Sequence, residues 1–314
     1  MTTPASRLDA DGNYDAAIVG GGPAGLSAAI WLGRYERSVV LVDSGDPRNW
    51  ETRGINGYLG LPKIKPPDLR AAGREACRRY GVQLIDQEVC KVGRNGDSAL
   101  ALELADGRAL FAKRLLLAIG IRDVWPEIPG LDACYGESAH VCPDCDGYEA
   151  KGKKTVVIGT GRRAVGMALA LANWTDEIII CTNCEAQELS EDLLDRLQKL
   201  NIPVLCERVQ SIASMDSDVS CIQLEGGMQL DCERLFFSLG QHPADDLGAQ
   251  LKCKRDDAGL IVVDDAQRTS VENVYAAGDI TPGPQLAVAA AAAGAVTAIA
   301  IHKSLLPEEL KMPD

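Results

Sequence analysis

The chain has 314 residues, of which 46% are apolar and 25% are charged, and it carries a net charge of −13 with a sequence pI near 4.8. This length exceeds what one ordinary hydrophobic core organises, so we expect two domains. The acidic balance argues against nucleic acid and anionic membrane surfaces as partners, because both are bound by basic faces.

Neither end of the chain carries a pattern typical of export or membrane insertion. The first 13 residues are polar and lack the apolar segment of a secretory signal. The most apolar stretch, residues 286–301, is mostly alanine and shorter than a membrane span, which predicts a buried helix. We therefore expect a cytoplasmic protein. Its eleven cysteines are then normally reduced, so a disulfide in this chain should be catalytic.

The first nucleotide-binding pattern lies near the start of the chain. An apolar strand is predicted over 16–19, a helix over 26–32 and a second strand over 38–42, which ends before Asp43. Between the first strand and the helix, Gly20, Gly22 and Gly25 form G-x-G-x-x-G. Such a turn lets a pyrophosphate approach the backbone at a helix N-terminus, and the acid accepts hydrogen bonds from a ribose. The sequence therefore predicts a dinucleotide site.

A second unit of the same kind follows in the middle of the chain. It has a strand over 155–158, a helix over 163–171 and a strand over 177–181. Cys181 ends that last strand, where an acid should read the ribose. The turn itself can still bind a pyrophosphate, and its residues are Gly159, Gly161, Arg162, Arg163 and Ala164.

A third pattern returns to the first fold. A strand over 273–276 precedes Gly278 and Asp279, and an alanine-rich helix begins near Gln285. The predicted fold is therefore α/β, with two Rossmann-like dinucleotide-binding domains, the second inserted into the first. The first domain comprises 1–122 and 243–314, and the inserted domain comprises 123–242.

The segment HVCPDCDGYEA, residues 140–150, places Cys142 and Cys145 in a CxxC spacing. Two intervening residues bring the sulfurs within bonding range, which suits dithiol exchange. A second CxxC, Cys181 to Cys184, makes zinc an alternative, although the gap between the pairs holds a whole strand, turn and helix. His140 is expected in a loop. Most of the remaining cysteines are expected to be small buried apolar residues, namely Cys77, Cys90, Cys134, Cys206, Cys221, Cys232 and Cys253.

The chain resembles the low-molecular-weight thioredoxin reductases, flavoproteins with two dinucleotide folds. Five motifs occur in the family's order: GGGPAG, RLLLAIG, CPDCDG, GTGRRA and QRTSVENVYAAGD. The position of CPDCDG just before the second glycine turn is the most specific of them. The resemblance implies bound FAD, a homodimer, and reduction of a thioredoxin-like disulfide protein.

The same resemblance implies individual roles. Cys142 attacks the disulfide of the partner, Cys145 faces the flavin, and Asp146 protonates the leaving thiolate. Asp144 replaces a small residue that is common in the family, and its charge disfavours nearby thiolates. The implied flavin contacts are Gly20, Gly22, Pro23, Ala24, Gly25, Asp43, Asn56, Gly120, Gly278, Asp279, Gln285, Leu286 and Ala287.

The electron donor departs from the family's pattern. In the family, His-Arg-Arg and a further Arg after the second strand of the inserted fold bind the 2′-phosphate of NADPH. Here the first three positions are Thr182, Asn183 and Cys184, the further one is Glu188, and Glu185 adds a negative charge. Each close contact of a carboxylate with the phosphate costs roughly 1 kcal/mol near the surface. We therefore expect NADPH to be a poor reductant. The alternatives are a second FAD in this site, a reduced ferredoxin-like protein as donor, or weakly bound NADH.

Three functions stay open on the sequence. The first is an FAD-dependent dithiol/disulfide oxidoreductase acting on a thioredoxin-like protein. The second is a flavin-dependent dithiol oxidase that acts on a small molecule with oxygen. The third is a redox sensor that does not turn over.

Overall fold

The computed structural model describes residues 13–49, 51–96, 99–184 and 189–311. The strands of these residues are β1 (Tyr14–Val19), β2 (Val39–Val42), β3 (Gln83–Ile85), β4 (Val89–Asn95), β5 (Ala99–Leu104), β6 (Ala109–Leu117), β7 (Ile121–Asp123), β8 (Ala139–His140), β9 (Thr155–Gly159), β10 (Ile178–Cys181), β11 (Val204–Leu205), β12 (Val209–Met215), β13 (Asp218–Leu224), β14 (Gln229–Asp231), β15 (Arg234–Ser238), β16 (Gln241–Pro243) and β17 (Val274–Ala276). The helices are α1 (Pro23–Arg34), α2 (Pro66–Arg79), α3 (Pro143–Asp146), α4 (Gly161–Leu171), α5 (Glu191–Lys199), α6 (Leu247–Gln250) and α7 (Ala287–Ser304), and short 3₁₀ helices span Gly147–Ala150 and Glu308–Leu310.

The chain divides into two compact units. The first comprises Met1–Trp50, Tyr58–Arg122 and His242–Asp314, and the second comprises Glu51–Gly57 and Asp123–Gln241. This division differs from the predicted boundaries at His242, which belongs to the first unit, and at residues 51–57, which belong to the second. The segment 51–57 joins the second unit because Arg53 donates its backbone N–H to the carbonyl of Gly136 at 3.4 Å.

The sheet of the first unit runs in the order β3–β2–β1–β6–β5–β4, and β17 also pairs with β6. Its β4–β5 and β5–β6 pairings are antiparallel, and the other pairings given by the described residues are parallel. Val19 pairs with both Val42 and Leu117, and Ala276 also pairs with Leu117. The residues that follow β1, β2, β6 and β17 therefore meet at one edge of the sheet, which is where open α/β folds bind ligands.

The continuous apolar sequence of β1 reflects burial on both faces of this sheet. Ala16 and Ile18 pack on the side of α1 and α7. Ala17 and Val19 pack on the opposite side with the apolar residues of β4 and β5. The two cores hold the sheet edge, and the turns that follow it, in a fixed position.

Helix α7 differs from the predicted buried helix over 286–301. It extends to Ser304 and has 18 residues. Among the described residues it is the one helix that is long and apolar enough to cross a membrane. Gly294 and Ala298 are buried, but Val288, Val296 and Ile299 are about two-fifths exposed. Burial is confined to the face that packs on α1, because the close approach of the two helices shields only that side.

The second unit repeats the plan with a different cover. Its parallel sheet runs β11–β10–β9–β15–β8, and β12, β13 and β14 form an antiparallel sheet. Val157 and Phe236 pack with α4 and α5, whereas Ile158 and Phe237 pack with the antiparallel sheet. These two parallel sheets with helices confirm the predicted α/β class with two Rossmann-like domains.

Gly294 allows a test of the packing of α7. A Cβ at this position would overlap the backbone carbonyl of Ala24. Gly294→Ala should therefore lower the free energy of unfolding by about 1–3 kcal/mol through overpacking. Gly166→Ala in α4 is the matched control, because no described residue outside its own stretch of helix lies within 4 Å of its Cβ position. The control should gain roughly 0.5–1 kcal/mol from helix propensity. Thermal unfolding followed by circular dichroism measures both. A Gly294→Ala protein as stable as the wild type would contradict the close packing.

Candidate active site

The first glycine turn is crowded on one side and open on the other. A Cβ on Gly25 would overlap the carbonyl of Gly20, and a Cβ on Gly20 would overlap that of Ala118. By contrast, apart from its chain neighbours, no described residue lies within 4 Å of the Cβ position of Gly22, directly before α1. No side chain of the described residues caps this helix, which starts with Pro23 and Ala24. The open cradle and the uncapped N–H groups fit a pyrophosphate.

Asp43 lies directly after β2 and is 7% exposed. Its Oδ2 forms an ion pair with Arg70 and lies 3.5 Å from Nη1 of Arg74. Its Oδ1 accepts from the backbone N–H of Gly45 at 3.3 Å and, as a carboxylate oxygen, has a second acceptor position for a ribose hydroxyl. Arg70 and Arg74 were not expected from the sequence. Their i,i+4 spacing on α2 is the signal that places both on one helix face.

The residues after β17 adjoin the first glycine turn. Gly278 has a φ of +82°, and a Cβ there would lie 3.0 Å from the Cβ of Ala24. Asp279 forms an ion pair with Arg48 at 3.2 Å, and the same Arg48 nitrogen donates to Oε1 of Gln285 at 3.1 Å. Arg48 was not expected from the sequence. It joins the segment after β2 to the segment before α7.

The remaining predicted flavin residues of the first unit lie at the same sheet edge. Gly120 follows β6 with a φ of +71°, and its carbonyl accepts from the N–H of Ala244 at 3.2 Å. Leu286 precedes α7 without a side-chain cap from the described residues, and Ala287 begins the helix.

Together these groups fit FAD. The glycine cradle suits the pyrophosphate, Asp43 suits a ribose, and Asp279 suits the hydroxyl-bearing chain of the flavin. The α7 N-terminus would stabilise negative charge on the flavin ring. FAD supplies the two-electron chemistry when it is bound.

Cys142 and Cys145 are joined by a disulfide with a Cα–Cα separation of 5.3 Å. Cys142 is the residue before α3, and its Sγ accepts from the backbone N–H of Cys145 at 3.2 Å. Pro143 occupies the first position of the helix, where its missing N–H costs nothing. When the pair is reduced, the same N–H stabilises a thiolate on Cys142, which suits its predicted role as the attacking sulfur.

Asp146 is contacted on both carboxyl oxygens. Asn56 donates to Oδ1 at 3.4 Å and to the carbonyl of Cys145 at 3.1 Å. Nδ1 of His140 lies 3.5 Å from Oδ2. Burial, followed by the charge of Glu149, raises the pKa of Asp146 to about 7. Asp146 is therefore able to hold a proton beside the disulfide near neutral pH. The flavin contact of Asn56 stays a prediction.

The expectation that His140 lies in a loop was wrong. His140 ends β8, is buried, and packs with its ring centroid 5.3 Å from that of Phe236. Burial, together with the charge of Arg234, lowers the pKa of His140 to about 4. Its Nε2 has no hydrogen-bond partner among the described residues. The pKa of His140 is lowered and that of Asp146 is raised, so the two shifts favour a neutral imidazole beside a protonated carboxyl over an ion pair.

Most of the other cysteines are buried, as predicted. Cys77, Cys134, Cys232 and Cys253 are buried, whereas Cys90 and Cys206 are exposed. Cys221 is half-buried. Cys90 lies on β4 and Cys206 directly follows β11, and both strands are outermost in their sheets.

The second glycine turn resembles the first in its close approach to a neighbouring strand but differs in conformation, because Gly161 begins its helix with a positive φ whereas Gly22 precedes α1 with a φ of −78°. A Cβ on Gly159 would lie 2.8 Å from the carbonyl of Ser238, and Gly161 has a φ of +59°. Helix α4 begins here without a side-chain cap from the described residues, and Ala164 is buried in it. Arg162 and Arg163 are exposed, so the turn offers N–H groups and two guanidiniums to a pyrophosphate.

The carboxyl end of β10 offers no cation among its described residues. Cys181 is buried there, and Asn183 accepts the backbone N–H of Val209 on its Oδ1 at 2.8 Å. Thr182 is bonded through its backbone N–H to the carbonyl of Leu205 at 2.9 Å. The predicted contributions of Glu185 and Glu188 lie outside the described residues.

Residues 14–294 match the family described as pyridine nucleotide-disulphide oxidoreductase. The chain is 28% identical over 286 residues to NADH dehydrogenase of Bacillus subtilis (strain 168), covering 89% of this chain and 56%, little more than half, of that protein. It is 28% identical over 303 residues to thioredoxin reductase of Helicobacter pylori, covering 91% of this chain and 97% of that protein. The structure of a putative thioredoxin reductase, TrxB, from Bacillus anthracis superposes with a TM-score of 0.85 at 30% identity, covering 93% and 98% of the two chains.

Asp43 provides a test of the nucleotide cradle in the first unit. Asp43→Asn should raise the dissociation constant of FAD about tenfold or more, because a hydrogen bond to a charged group contributes about 1.5–3 kcal/mol. Asp86→Asn is the matched control, since Asp86 also pairs with Arg74 but is exposed. FAD release measured by flavin fluorescence should separate the two. Equal affinity in Asp43→Asn and wild type would contradict the ribose role.

Asp146 predicts the pH dependence of disulfide reduction. Its raised pKa of about 7 keeps the carboxyl protonated below that pH and deprotonated above it. The turnover number should therefore fall as pH rises through about 7. Asp146→Asn should lower turnover by ~10²-fold and abolish this fall of turnover with rising pH. Asp144→Asn, the same change at an exposed neighbour, should keep the pH dependence. An unchanged profile in Asp146→Asn would reduce Asp146 to a structural role.

Proposed function

The chain belongs to the pyridine nucleotide-disulphide oxidoreductase family, and within it we propose an FAD-dependent dithiol/disulfide oxidoreductase that does not take its electrons from NADPH. Membership, with the thioredoxin reductase relatives, makes it a flavin-dependent disulfide oxidoreductase of the thioredoxin reductase type. FAD and a nicotinamide nucleotide are the cofactors that the family implies. The proposal concerns the particular donor and the particular partner.

The Cys142–Cys145 disulfide beside Asp146 is the observation that carries the proposal. In its reduced form, a Cys142 thiolate attacks the disulfide of a partner and forms a mixed disulfide, releasing one partner thiolate. Cys145 then attacks Cys142 Sγ, which releases the second partner thiol and re-forms the Cys142–Cys145 disulfide. The partner gains two electrons and two protons. Asp146, with a pKa near 7, can protonate a leaving thiolate and be reprotonated in the next turnover.

A thioredoxin-like protein is the proposed partner. The support is the family relationship together with the exposed residues beside the Cys142–Cys145 pair. Asp144 is exposed, and Tyr148 is 70% exposed. A macromolecular disulfide needs such an accessible surface. The homodimer and the cytoplasmic location stay predictions that rest on resemblance and on composition.

The donor proposal rests on the carboxyl end of β10. The positions that would hold the 2′-phosphate of NADPH are Thr182, Asn183 and Cys184, none of which carries a positive charge. The Asn183 side chain is already engaged by Val209. Cys181, in the place of a ribose-reading acid, is buried and donates its Sγ–H to the carbonyl of Glu207 at 3.4 Å. The turn nevertheless keeps its N–H groups and Arg162 and Arg163. A dinucleotide without a 2′-phosphate, a second FAD above all, therefore suits the site better than NADPH. A reduced ferredoxin-like donor or weakly bound NADH are the other outcomes.

A dithiol oxidase is the second candidate function, favoured by the charge of Asp144. A carboxylate between the two cysteines disfavours thiolates and stabilises the disulfide form, which suits an enzyme that oxidises dithiols and passes the electrons to oxygen. Stopped-flow kinetics decides between the functions. Reoxidation of reduced flavin by thioredoxin supports the reductase, and reoxidation mainly by oxygen supports the oxidase. A protein that turns over with neither would be a sensor.

The two cysteines should fail in different ways. Cys145→Ser should bind flavin but pass no electrons to a disulfide substrate. Cys142→Ser should leave a Cys145 thiolate that gives a charge-transfer absorption band with the flavin. Cys90→Ser, at an exposed cysteine of the first unit, is the control and should keep full activity. Full disulfide reductase activity in both Cys142→Ser and Cys145→Ser would rule out the assignment.

The donor proposal predicts the outcome of an anaerobic titration. NADPH should reduce the flavin slowly and incompletely, because none of the described residues that follow β10 offers a cation to its 2′-phosphate. Asn183→Arg with Cys184→Arg should improve the apparent affinity for NADPH about tenfold, since a charge-assisted hydrogen bond contributes about 1.5 kcal/mol or more. Flavin content is measured on the same sample: a ratio near two per chain supports the second FAD, and a ratio near one removes it. Rapid, stoichiometric bleaching of wild type by NADPH would overturn the donor proposal.

A further inference from the structure

Nine cysteines lie outside the Cys142–Cys145 disulfide, and burial makes most of them unreactive. Burial raises the pKa of five of them, to about 12 at Cys77 and Cys232. Such thiols hold almost no thiolate at neutral pH, and thiolate is the reactive form. The exposed cysteines of the described residues are Cys90, Cys184 and Cys206.

Two of these exposed cysteines lie beside each other where β10 and β11 end. Cys181, the last residue of β10, pairs with Leu205, the last residue of β11, so Cys206 follows the paired strands directly. The Sγ of Cys184 lies 3.9 Å from the backbone carbonyl oxygen of Cys206. This contact places the sulfur of Cys184 beside the backbone of Cys206, and a disulfide requires the two sulfurs to approach to ~2.05 Å.

The backbone on both sides of this thiol pair is fixed by hydrogen bonds. Thr182 donates its N–H to the carbonyl of Leu205 at 2.9 Å, and Val209 donates its N–H to Oδ1 of Asn183 at 2.8 Å. Asn183 and Cys184 both adopt left-handed backbone conformations, with φ values of +50° and +63°. The hydrogen bonds restrict the backbone just before Cys184 and just after Cys206, so the described residues that flank the pair have little conformational entropy left to lose.

The neighbouring Cys181 does not compete for either sulfur. It is fully buried, and its Sγ–H donates to the carbonyl of Glu207 at 3.4 Å. Burial also raises its pKa. The CxxC spacing of Cys181 and Cys184 is therefore misleading, because the accessible neighbour of Cys184 is Cys206, 22 positions further along the chain.

We propose that Cys184 and Cys206 form a second dithiol/disulfide couple, oxidised by low-molecular-weight disulfides of the glutathione class. A thiolate of Cys184 attacks the small disulfide, forms a mixed disulfide and releases one small thiol. Cys206 then attacks the Cys184 sulfur and releases the second small thiol. The protein loses two S–H hydrogens and gains one S–S bond, while the small disulfide becomes two thiols. The couple lies at the carboxyl end of β10, the position from which dinucleotide folds read a ribose, and it does not depend on which donor the enzyme uses.

Oxidised glutathione and peptide mapping test the couple on the wild-type holoprotein. After incubation, quenching by alkylation and digestion, mass spectrometry should find a peptide in which Cys184 is linked to Cys206. Cys90, which is exposed in the other unit, is the internal control and should carry glutathione as a mixed disulfide. In Cys206→Ser, the reaction should stop with glutathione on Cys184, and flavin content should equal that of wild type.

Two results would overturn the proposal. One is wild-type protein in which Cys184 and Cys206 each carry a separate glutathione. The other is wild-type protein in which both stay fully alkylatable at glutathione concentrations that modify Cys90. Both outcomes are read on the wild-type chain, so neither depends on whether a variant folds.

Discussion

The first unit depends on an approach of backbone to backbone that only glycine allows. Gly25 of α1 contacts the carbonyl of Gly20, and Gly294 of α7 contacts the carbonyl of Ala24. Because no side chain separates these segments, the starts of α1 and α7 lie at the same edge of the parallel sheet. Asp43 after β2 and Asp279 after β17 reach that edge through the strand register. The cofactor cradle is thus a consequence of helix packing, and a single added methyl group would disturb it.

The second unit keeps the parallel sheet and the glycine turn but ends its second strand differently. Cys181 is buried where such folds carry a polar ribose reader, and the next described residues bond to β11 and β12 instead of facing a phosphate. The glycine turn therefore has groups that suit a pyrophosphate, whereas the described residues at the end of β10 lack a charged group that would distinguish one nucleotide from another. Binding of a dinucleotide would therefore depend on the glycine turn, whereas the choice of dinucleotide would depend on the residues that follow β10.

The sequence predicts what depends on local pattern and fails where distant segments meet. Both glycine turns and the CxxC pair were predicted, because turn, helix and dithiol chemistry are encoded within a few residues. Arg48 was not predicted, because its partner Asp279 is far away in sequence. Asn56 and His140 approach Asp146 from two separate segments of the chain. The pKa values of His140 and Asp146 are shifted mainly by burial, which a local pattern of charge in the sequence does not reveal. The exposure of Cys206 likewise follows from strand ends and not from the apolar character of cysteine.

The glycine cradle belongs to the first unit and the disulfide to the second. The proposed function requires electrons to pass between a flavin bound in that cradle and the Cys142–Cys145 pair. Anaerobic reductive titration with dithionite measures this directly. We predict that wild type takes up two more electrons per chain, before the flavin is fully bleached, than the Cys142→Ser, Cys145→Ser double variant with the same flavin content. Equal electron uptake by the two proteins would show that the disulfide does not exchange electrons with the flavin and would contradict the proposed function.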